Sequence, residues 1–383
     1  MKVFPRILTL CTLVLVTLGG CPDTTLPLID QNPTQMEGLT GGVICTAEDV
    51  KPSDPSTFVV HFIDVGQGDG MWLRLPSGDP ENPLDIVVDV GDGPNYPGDT
   101  TRDAGILMAD YMEAHGMAPG SILDWLVVTH GDSDHFGGAP TLMSRFPARS
   151  FMGSGYLNTS DSWRDVRTDI QLQVGAVGGD FASPVATFAG ADVALSTSLV
   201  DAEVLWGTTE PPGDNSNNSG VVLRFTVHGK SLLLTGDIDD DVEEALVAAH
   251  IRDEIDIKSH VLKVPHHGSD SSSSEVFLNA VFGGIDLSER RAVIQSGTRE
   301  FNGARLPRAE IVDRLRTFLD EGSLLSTEHD DEGKSTSESA GDDHVVLTIA
   351  PGGRIHTCYN PGGLVQSGDE DSRQLDDELD DEF

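Results

Sequence analysis

Positive charge is scarce in this chain of 383 residues: 24 lysines and arginines stand against 63 aspartates and glutamates, a formal net charge of −39. A field of that sign repels nucleic acid and anionic membranes at long range, so tight binding to either would need a local basic groove. Cysteine is scarce too, with four in all. Long apolar runs are missing beyond the first twenty residues. No other stretch approaches the roughly eighteen residues a membrane span requires, which excludes a channel formed by this sequence. No internal repeat of solenoid period is present.

What is there begins with an N-terminal pattern. Lys2 and Arg6 precede an apolar stretch over residues 7–18, short for a bilayer span, and Leu18-Gly19-Gly20 leads into Cys21. The pattern predicts a lipoprotein signal peptide over residues 1–20 with Cys21 as the acylated mature N-terminus. The product would be exported and lipid-anchored to a bacterial membrane, facing the periplasm or the cell surface. Losing Lys2 and Arg6 takes the charge to about −41. Outside the cytosol Cys45 and Cys358 can be oxidised to a disulfide, although nothing in the sequence says that they meet. Neither has metal-ligand spacing. Residues 21–57, rich in Pro, Thr, Gly and Asp, read as a tether, 58–357 as one domain, and 358–383 as an acidic, disordered tail. The acid-rich stretch 328–343 reads as a mobile insertion.

Apolar alternation and short apolar runs predict strands over residues 58–64, 70–75, 86–89, 123–128, 202–206, 220–227, 231–234, 260–264 and 292–295, and a hairpin of 344–349 with 354–357. Helical spacing predicts helices over 104–115, with Asp103 as N-cap, and over 141–146, 240–250, 272–281 and 309–319. Residues 150–190 carry too weak a pattern to assign. Strands interspersed with helices indicate α/β layering.

The chemistry gathers at strand ends. Residues 129–138 read Thr-His-Gly-Asp-Ser-Asp-His-Phe-Gly-Gly, so His130, Asp132, Asp134 and His135 follow directly on an apolar strand. Gly137 and Gly138 would let the backbone turn tightly. A second apolar strand ends in Thr235-Gly236-Asp237, and a third in Pro265-His266-His267-Gly268-Ser269. Clustered carboxylates and imidazoles gain little from burial unless a cation compensates their charge. If the three ends meet, the set is large enough for two cations sharing Asp237.

In this order, together with Phe62-Ile-Asp64-Val-Gly-Gln-Gly-Asp69 and Asn217-Asn218-Ser219, the motifs resemble the metallo-β-lactamase superfamily. More narrowly, they resemble the hydrolase domain of the ComEC competence proteins. The resemblance spans about residues 58–357 and implies a four-layer αββα sandwich with metals at the edge between two sheets. It implies that His130 and Asp132 bind one divalent ion, that Asp134, His135 and one of His266 and His267 bind the second, and that Asp237 lies between. Asp64 would be a supporting carboxylate near the ligand loop or the cap of a turn. Aspartate at 132 and Asn218 and Ser219 in place of a further histidine make the site rich in oxygen, which favours Mn²⁺ or Mg²⁺ more than an all-nitrogen site would, with Zn²⁺ remaining open. Asn218, Ser219, Arg299 and Asn302 are candidate substrate contacts. Leu306 stands roughly where ComEC-like domains often carry a histidine.

The expected activity is metal-dependent hydrolysis, with a small-molecule or nucleic-acid phosphodiester as substrate and a water activated between the metals as nucleophile. Asp134 or Asp237 would orient that water. Whichever of His266 and His267 is not a ligand would protonate the leaving group. Two further readings are a small-ester or lactone hydrolase of the same superfamily and a metal-stabilised surface binding protein without catalysis.

Overall fold

Strands buried on both faces need cover on both sides, and here two sheets stack on each other and carry helices outside. The computed structural model describes residues 43–361 apart from 80–81, 93–102, 158–159, 183–190, 193–194, 302–303, 329–340 and 342. The first sheet has eight strands in the order Arg354–Asn360 (β17), His344–Ala350 (β16), Phe58–Phe62 (β1), Gly70–Leu75 (β2), Leu84–Val90 (β3), Leu123–Val128 (β4), Ala148–Gly153 (β5) and Asp180–Ala182 (β6). The second has seven: Leu324–Ser326 (β15), Arg291–Ile294 (β12), Val261–Lys263 (β11), Lys230–Leu234 (β10), Val222–Val227 (β9), Val200–Trp206 (β8) and Ala191–Asp192 (β7). Glu300–Phe301 (β13) and Ala304–Arg305 (β14) form a separate ribbon.

Between the sheets Phe62, Leu73, Val88 and Val127 of the first meet Phe225, Leu232, Val261 and Val293 of the second. On the outer face of the first sheet, Val87 and Leu126 pack against helices Ala104–Ala114 (α2), Ala139–Arg145 (α4) and Asp161–Ala176 (α5) through Met108, Leu142 and Trp163. On the outer face of the second, Leu233, Leu262 and Ile294 pack against Asp240–Ile251 (α6), Glu275–Phe282 (α7) and Ala309–Arg316 (α8) through Leu246, Phe277 and Ile311. The result is the expected αββα sandwich. Burial on both faces explains why the strands read as apolar runs.

The expected strands and helices recur with ends shifted by a few residues. Several elements were not foreseen, among them β5, α5 and β15. The stretch left unassigned contains α5, capped by Ser160, which accepts from Trp163 N at 3.1 Å. Its buried residues are Trp163, Ile170 and Val174, too few for a strong sequence period. The short strand β15 escaped notice because it spans only three residues.

Two segment boundaries need correction. The described part of the supposed tether is structured: Ile44 bridges to Tyr359, and Thr46 caps helix Ala47–Val50 (α1) in a capping box with Asp49. The cysteines do meet, in a Cys45–Cys358 disulfide. The supposed tail begins inside β17, since Cys358 to Asn360 are buried and paired with β16. Glu328, expected in a mobile insertion, is buried and ion-paired with Arg305. Residues 1–42 with Cys21, most of 329–343, and 362–383 lie outside the described residues.

Candidate metal centre

Parallel pairing brings the chemistry to one edge. β3 runs parallel to β4 and β10 parallel to β11, so the carboxyl ends of each pair open side by side, where ligands of α/β sheets collect. β3 contributes Asp89; the loop after β4 contributes His130 and, through the one-turn helix Ser133–Phe136 (α3), Asp134 and His135. Asp237 follows β10 and His267 follows β11.

Gly137 and Gly138 do not make the tight turn expected of them, for both adopt ordinary right-handed helical angles. Gly138 is needed for close approach instead. A Cβ there would stand 2.4 Å from both Val90 O and Gly105 N. Gly68 acts similarly and at positive φ, since a Cβ would meet Asp134 O at 2.1 Å. That contact seats the 64–69 loop on the ligand helix, where Asp69 N donates to Asp134 O at 3.1 Å.

The assembled set is dense. His135 Nε2 lies 3.1 Å from Asp237 Oδ2 and 3.9 Å from Asp134 Oδ1; His267 Nε2 lies 3.0 Å from Asp237 Oδ2 and 3.5 Å from Asp134 Oδ2; His130 Nε2 lies 3.6 Å from Asp132 Oδ2. Ligand atoms of His130, His135 and Asp237 fall within 4.8 Å of one another, and so do those of Asp134, His135 and His267. Of the expected ligands, His130, Asp134, His135, Asp237 and His267 therefore converge, with Asp237 against both His135 and His267, while Asp132, its side chain 42% exposed, stands beside His130 at the edge. Of the two candidate histidines, His267 is in the cluster. His266 points to the rim, with Nδ1 3.0 Å from Asp239 Oδ1 and from Ser271 Oγ and Nε2 3.3 Å from Asn217 Nδ2.

Three residues of the cluster were not given roles from the sequence. Asp89 accepts from Thr129 N at 2.7 Å and Thr129 Oγ1 at 2.8 Å, and its Oδ2 is 2.9 Å from His135 Nδ1. It orients that imidazole with Nε2 inward, the supporting role expected of Asp64. Asp64 takes the other expected role, capping a turn: it accepts from Gly66 N at 3.0 Å and from Gly341 N at 2.5 Å, and Asp64 N donates to His344 Nδ1. Lys263 and Asp69, both fully buried, form an ion pair, and Lys263 Nζ is also 3.6 Å from Asp237 Oδ1. A lysine inside the apolar run Val261-Leu-Lys-Val264 was the available signal, for a buried charge must be paired.

The proposed substrate contacts fare differently. Asn218 and Ser219 are buried and structural: Asn218 Oδ1 accepts from Asp239 N at 3.0 Å, and Ser219 Oγ donates to Ser216 O at 2.6 Å and accepts from Ser154. Their neighbours face the site, Ser216 Oγ donating to Asp132 Oδ1 at 2.7 Å and Asn217 meeting His266. Arg299 is held by Asp92 at 2.6 Å. Asn302 lies outside the described residues. The segment carrying Leu306 abuts the histidine turn, for Arg308 N donates to Gly268 O and a Cβ at Gly268 would meet Pro307.

The electrostatics ask for cations. Burial opposes the charged form of every group here, yet His135 and His267 are both held well above the usual imidazole range, foremost by Asp237. Burial works against Asp237 too, but His135, His267 and Lys263 keep it well below the usual carboxylate range. Protons on the imidazoles thus stand where metal charge would. With the imidazoles neutral, as metal ligands must be, Asp69, Asp89, Asp132, Asp134 and Asp237 stand against one lysine, a deficit of four charges that two divalent cations would cancel. The buried atoms His130 Nε2, His267 Nε2 and Asp237 Oδ1 make no hydrogen bond. Such atoms are costly unless something else binds them, so the donor set fits divalent metals.

The sequence profile of the Metallo-beta-lactamase superfamily matches residues 86–287. The chain is 27% identical over 304 residues to ComE operon protein 3 of Bacillus subtilis, covering 76% of this chain and 35% of that protein. It is 32% identical over 196 residues to competence protein ComA of Neisseria gonorrhoeae, covering 51% of this chain and 23% of that protein. The chain thus spans about a third or less of these relatives' length. Among solved structures, unliganded yeast PDE1 superposes with a TM-score of 0.43 at 10% identity, over 71% of this chain and 97% of that one. Among the described residues no helix is long and apolar enough to cross a membrane. With the profile running over more than half of the chain and the αββα layers and strand-end ligands in place, the chain belongs to the metallo-β-lactamase superfamily.

Proposed function

We propose that this protein is a two-metal hydrolase acting on phosphodiester bonds. The observation that carries the reading is the convergence of buried, unbonded ligand atoms from three strand ends, His130 Nε2, Asp237 Oδ1 and His267 Nε2. His130, Asp132 and Asp237 would hold one Zn²⁺ or Mn²⁺, and Asp134, His135, His267 and Asp237 the other. Metals so held make water nucleophilic at neutral pH and neutralise charge that develops on a substrate oxygen.

The chain's own residues do the rest. Ser216 fixes Asp132, and Asp89 fixes His135, so both ligands are oriented in advance. Asp134 and Asp237 accept and direct a water proton. His266, a quarter exposed at the rim and steadied by Asp239, delivers a proton to the leaving group. Resemblance to the competence proteins favours a phosphodiester, and the acidity of the chain favours a small one over long nucleic acid. Export and acylation at Cys21 belong to the same proposal, supported by the N-terminal sequence pattern and by a disulfide, which persists in oxidising compartments.

The test is to measure bound metal and turnover of a phosphodiester, single-stranded DNA and a lactone, with Mn²⁺ or Zn²⁺ supplied. Expected are about two metals per chain, phosphodiester turnover, and loss of turnover in His130→Ala and Asp237→Ala. Turnover of the lactone alone moves the substrate class, metal without any turnover leaves a binding protein, and absence of metal affinity overturns the reading.

A further inference from the structure

A second set of ligand-type side chains lies outside this centre, where the N-terminal segment meets β17. His356 and Cys358 are two residues apart on a strand and so share one face. Cys45 and Asp49 arrive from the start of α1. Ligand atoms of Asp49, His356 and Cys358 all lie within 4.8 Å of one another, and Cys45 Sγ is bonded to Cys358 Sγ. Folding creates this proximity between residues more than three hundred positions apart.

The corner is prepared in three further ways. Asp49 Oδ2 accepts from Thr46 N at 2.8 Å and Thr46 Oγ1 at 2.7 Å, which fixes the carboxylate and leaves Oδ1 3.4 Å from His356 Nε2. Val50, Val59 and Val346 pack around both cysteines, so the sulfurs sit on a dry floor. The side chains of His356 and Asp49 are 32% and 22% exposed, which gives a small ion its way in.

We propose that reduction of the Cys45–Cys358 disulfide turns this corner into a zinc site with Cys45, Cys358, His356 and Asp49 as ligands. A dithiol supplies two electrons and two protons; the S–S bond breaks to two thiols and the reductant closes its own disulfide. Each thiol gives up its proton on binding the ion, and the imidazole binds neutral. Two thiolates, an imidazole and a carboxylate are a tetrahedral zinc set with bonds of about 2.0–2.3 Å; Asp49, His356 and Cys358 already lie within 4.8 Å of one another, and Cys45 Sγ, freed from Cys358, turns in to complete it. Thiolates select zinc over manganese or magnesium, so this site differs in kind from the oxygen-rich centre. The N-terminal segment then stays tied to β17 in either redox state, by a covalent bond or by a metal. The inference is independent of the hydrolytic reading.

The experiment is a Co²⁺ titration of the full chain, oxidised and phosphine-reduced, in a Cys11→Ser/Cys21→Ser background. A thiolate-to-cobalt charge-transfer band reports sulfur ligation, and the main centre has no sulfur to give one. Expected is a band in the reduced protein that saturates at one thiolate-bound cobalt per chain and is displaced by Zn²⁺, absent from the oxidised protein and from Cys358→Ser. His356→Ala and Asp49→Ala should each weaken binding at least tenfold, and Zn²⁺ should raise the melting temperature of the reduced parent more than that of reduced His356→Ala. No band on reduction, through unfolding or otherwise, overturns the proposal. So does a band of undiminished affinity in both His356→Ala and Asp49→Ala, which would mean binding by the two thiols alone.

Discussion

Lys263→Met tests whether one ammonium carries the charge balance of the centre. Lys263 is fully buried, ion-paired with Asp69 and 3.6 Å from Asp237. Burial alone would lower its pKa, but Asp69 and Asp237 hold it above the usual lysine range, so it is charged whenever the protein is folded. Methionine keeps the packing and deletes the charge, leaving Asp69 buried opposite a thioether. Removing one partner of a buried pair costs about 3–5 kcal/mol. With an unfolding entropy of about 2.1 cal/mol/K per residue over roughly 300 ordered residues, that lowers Tm by about 5–8 °C in metal-free protein. Added metal should recover more in the variant than in the parent, because the ammonium that repels cations beside Asp237 is gone. Asp69→Asn alone should destabilise by leaving the buried lysine only Gly236 O and the more distant Asp237, while Lys263→Met/Asp69→Asn should cost much less than the two single effects together. Calorimetry of all four proteins, with chelator and with Mn²⁺ or Zn²⁺, closes the cycle. A metal-free Lys263→Met protein that melts within 1 °C of the parent, or strict additivity in the double variant, refutes the argument.

Three other perturbations read different parts of the structure. Asp89→Asn loses the acceptor that orients His135 and should weaken metal binding about 10–100-fold by isothermal titration, with little change in the circular dichroism spectrum. Gly138→Ala places a methyl group 2.4 Å from Val90 O and Gly105 N and should cost about 1–3 kcal/mol by urea unfolding, despite alanine's better helix propensity. Burial, aided by His115, depresses His344 from the usual range to about 3, so it folds neutral and protonates on unfolding. Its contribution is therefore present above about pH 6.5 and is lost toward pH 3, at about 1.4 kcal/mol per pH unit. His61 and His115, also depressed by burial and set around Tyr111, add the same sign; His135 and His267, raised, stay protonated in both states over this window. His344→Gln, which keeps an acceptor for Asp64 N, should flatten the acid slope of metal-free protein between pH 4 and 6 by up to about one such unit.

Much of the layered fold was legible because its strands are buried on both faces and interrupted by amphipathic helices. The candidate ligands were legible because histidine and aspartate directly after an apolar strand have few other uses. What escaped did so for physical reasons. α5 exposes most of its surface, so its period is faint. Asp89 and Lys263 sit inside strands rather than after them, where each looks like a single polar interruption; only the sheet pairing shows that one orients His135 and the other neutralises Asp69. His266 and His267 could not be told apart by order, because the direction of each ring depends on the backbone between them. Gly138 was rightly singled out but for the wrong property, since close packing and positive φ leave the same letter in a sequence.

The backbone at these strand ends explains why local rules fail there. Asp89, His266 and His267 all lie in the left-handed region, at φ 58°, 49° and 52°. Such a conformation costs an ordinary residue about 1–3 kcal/mol, and glycine would relieve it. Glycine would also delete the side chain that each turn exists to aim: Asp89 at His135 Nδ1, His267 into the metal cluster, His266 outward to Asp239. Two successive left-handed residues turn the chain just after β11, and the adjacent histidines there face opposite tasks. The strain is held by the bonds around it, Gly268 O accepting from Arg308 N on one side and His266 N donating to Gly236 O on the other. The Asp237 loop and the histidine turn are thereby joined through Gly236, so the spacing between the two loops is set by backbone.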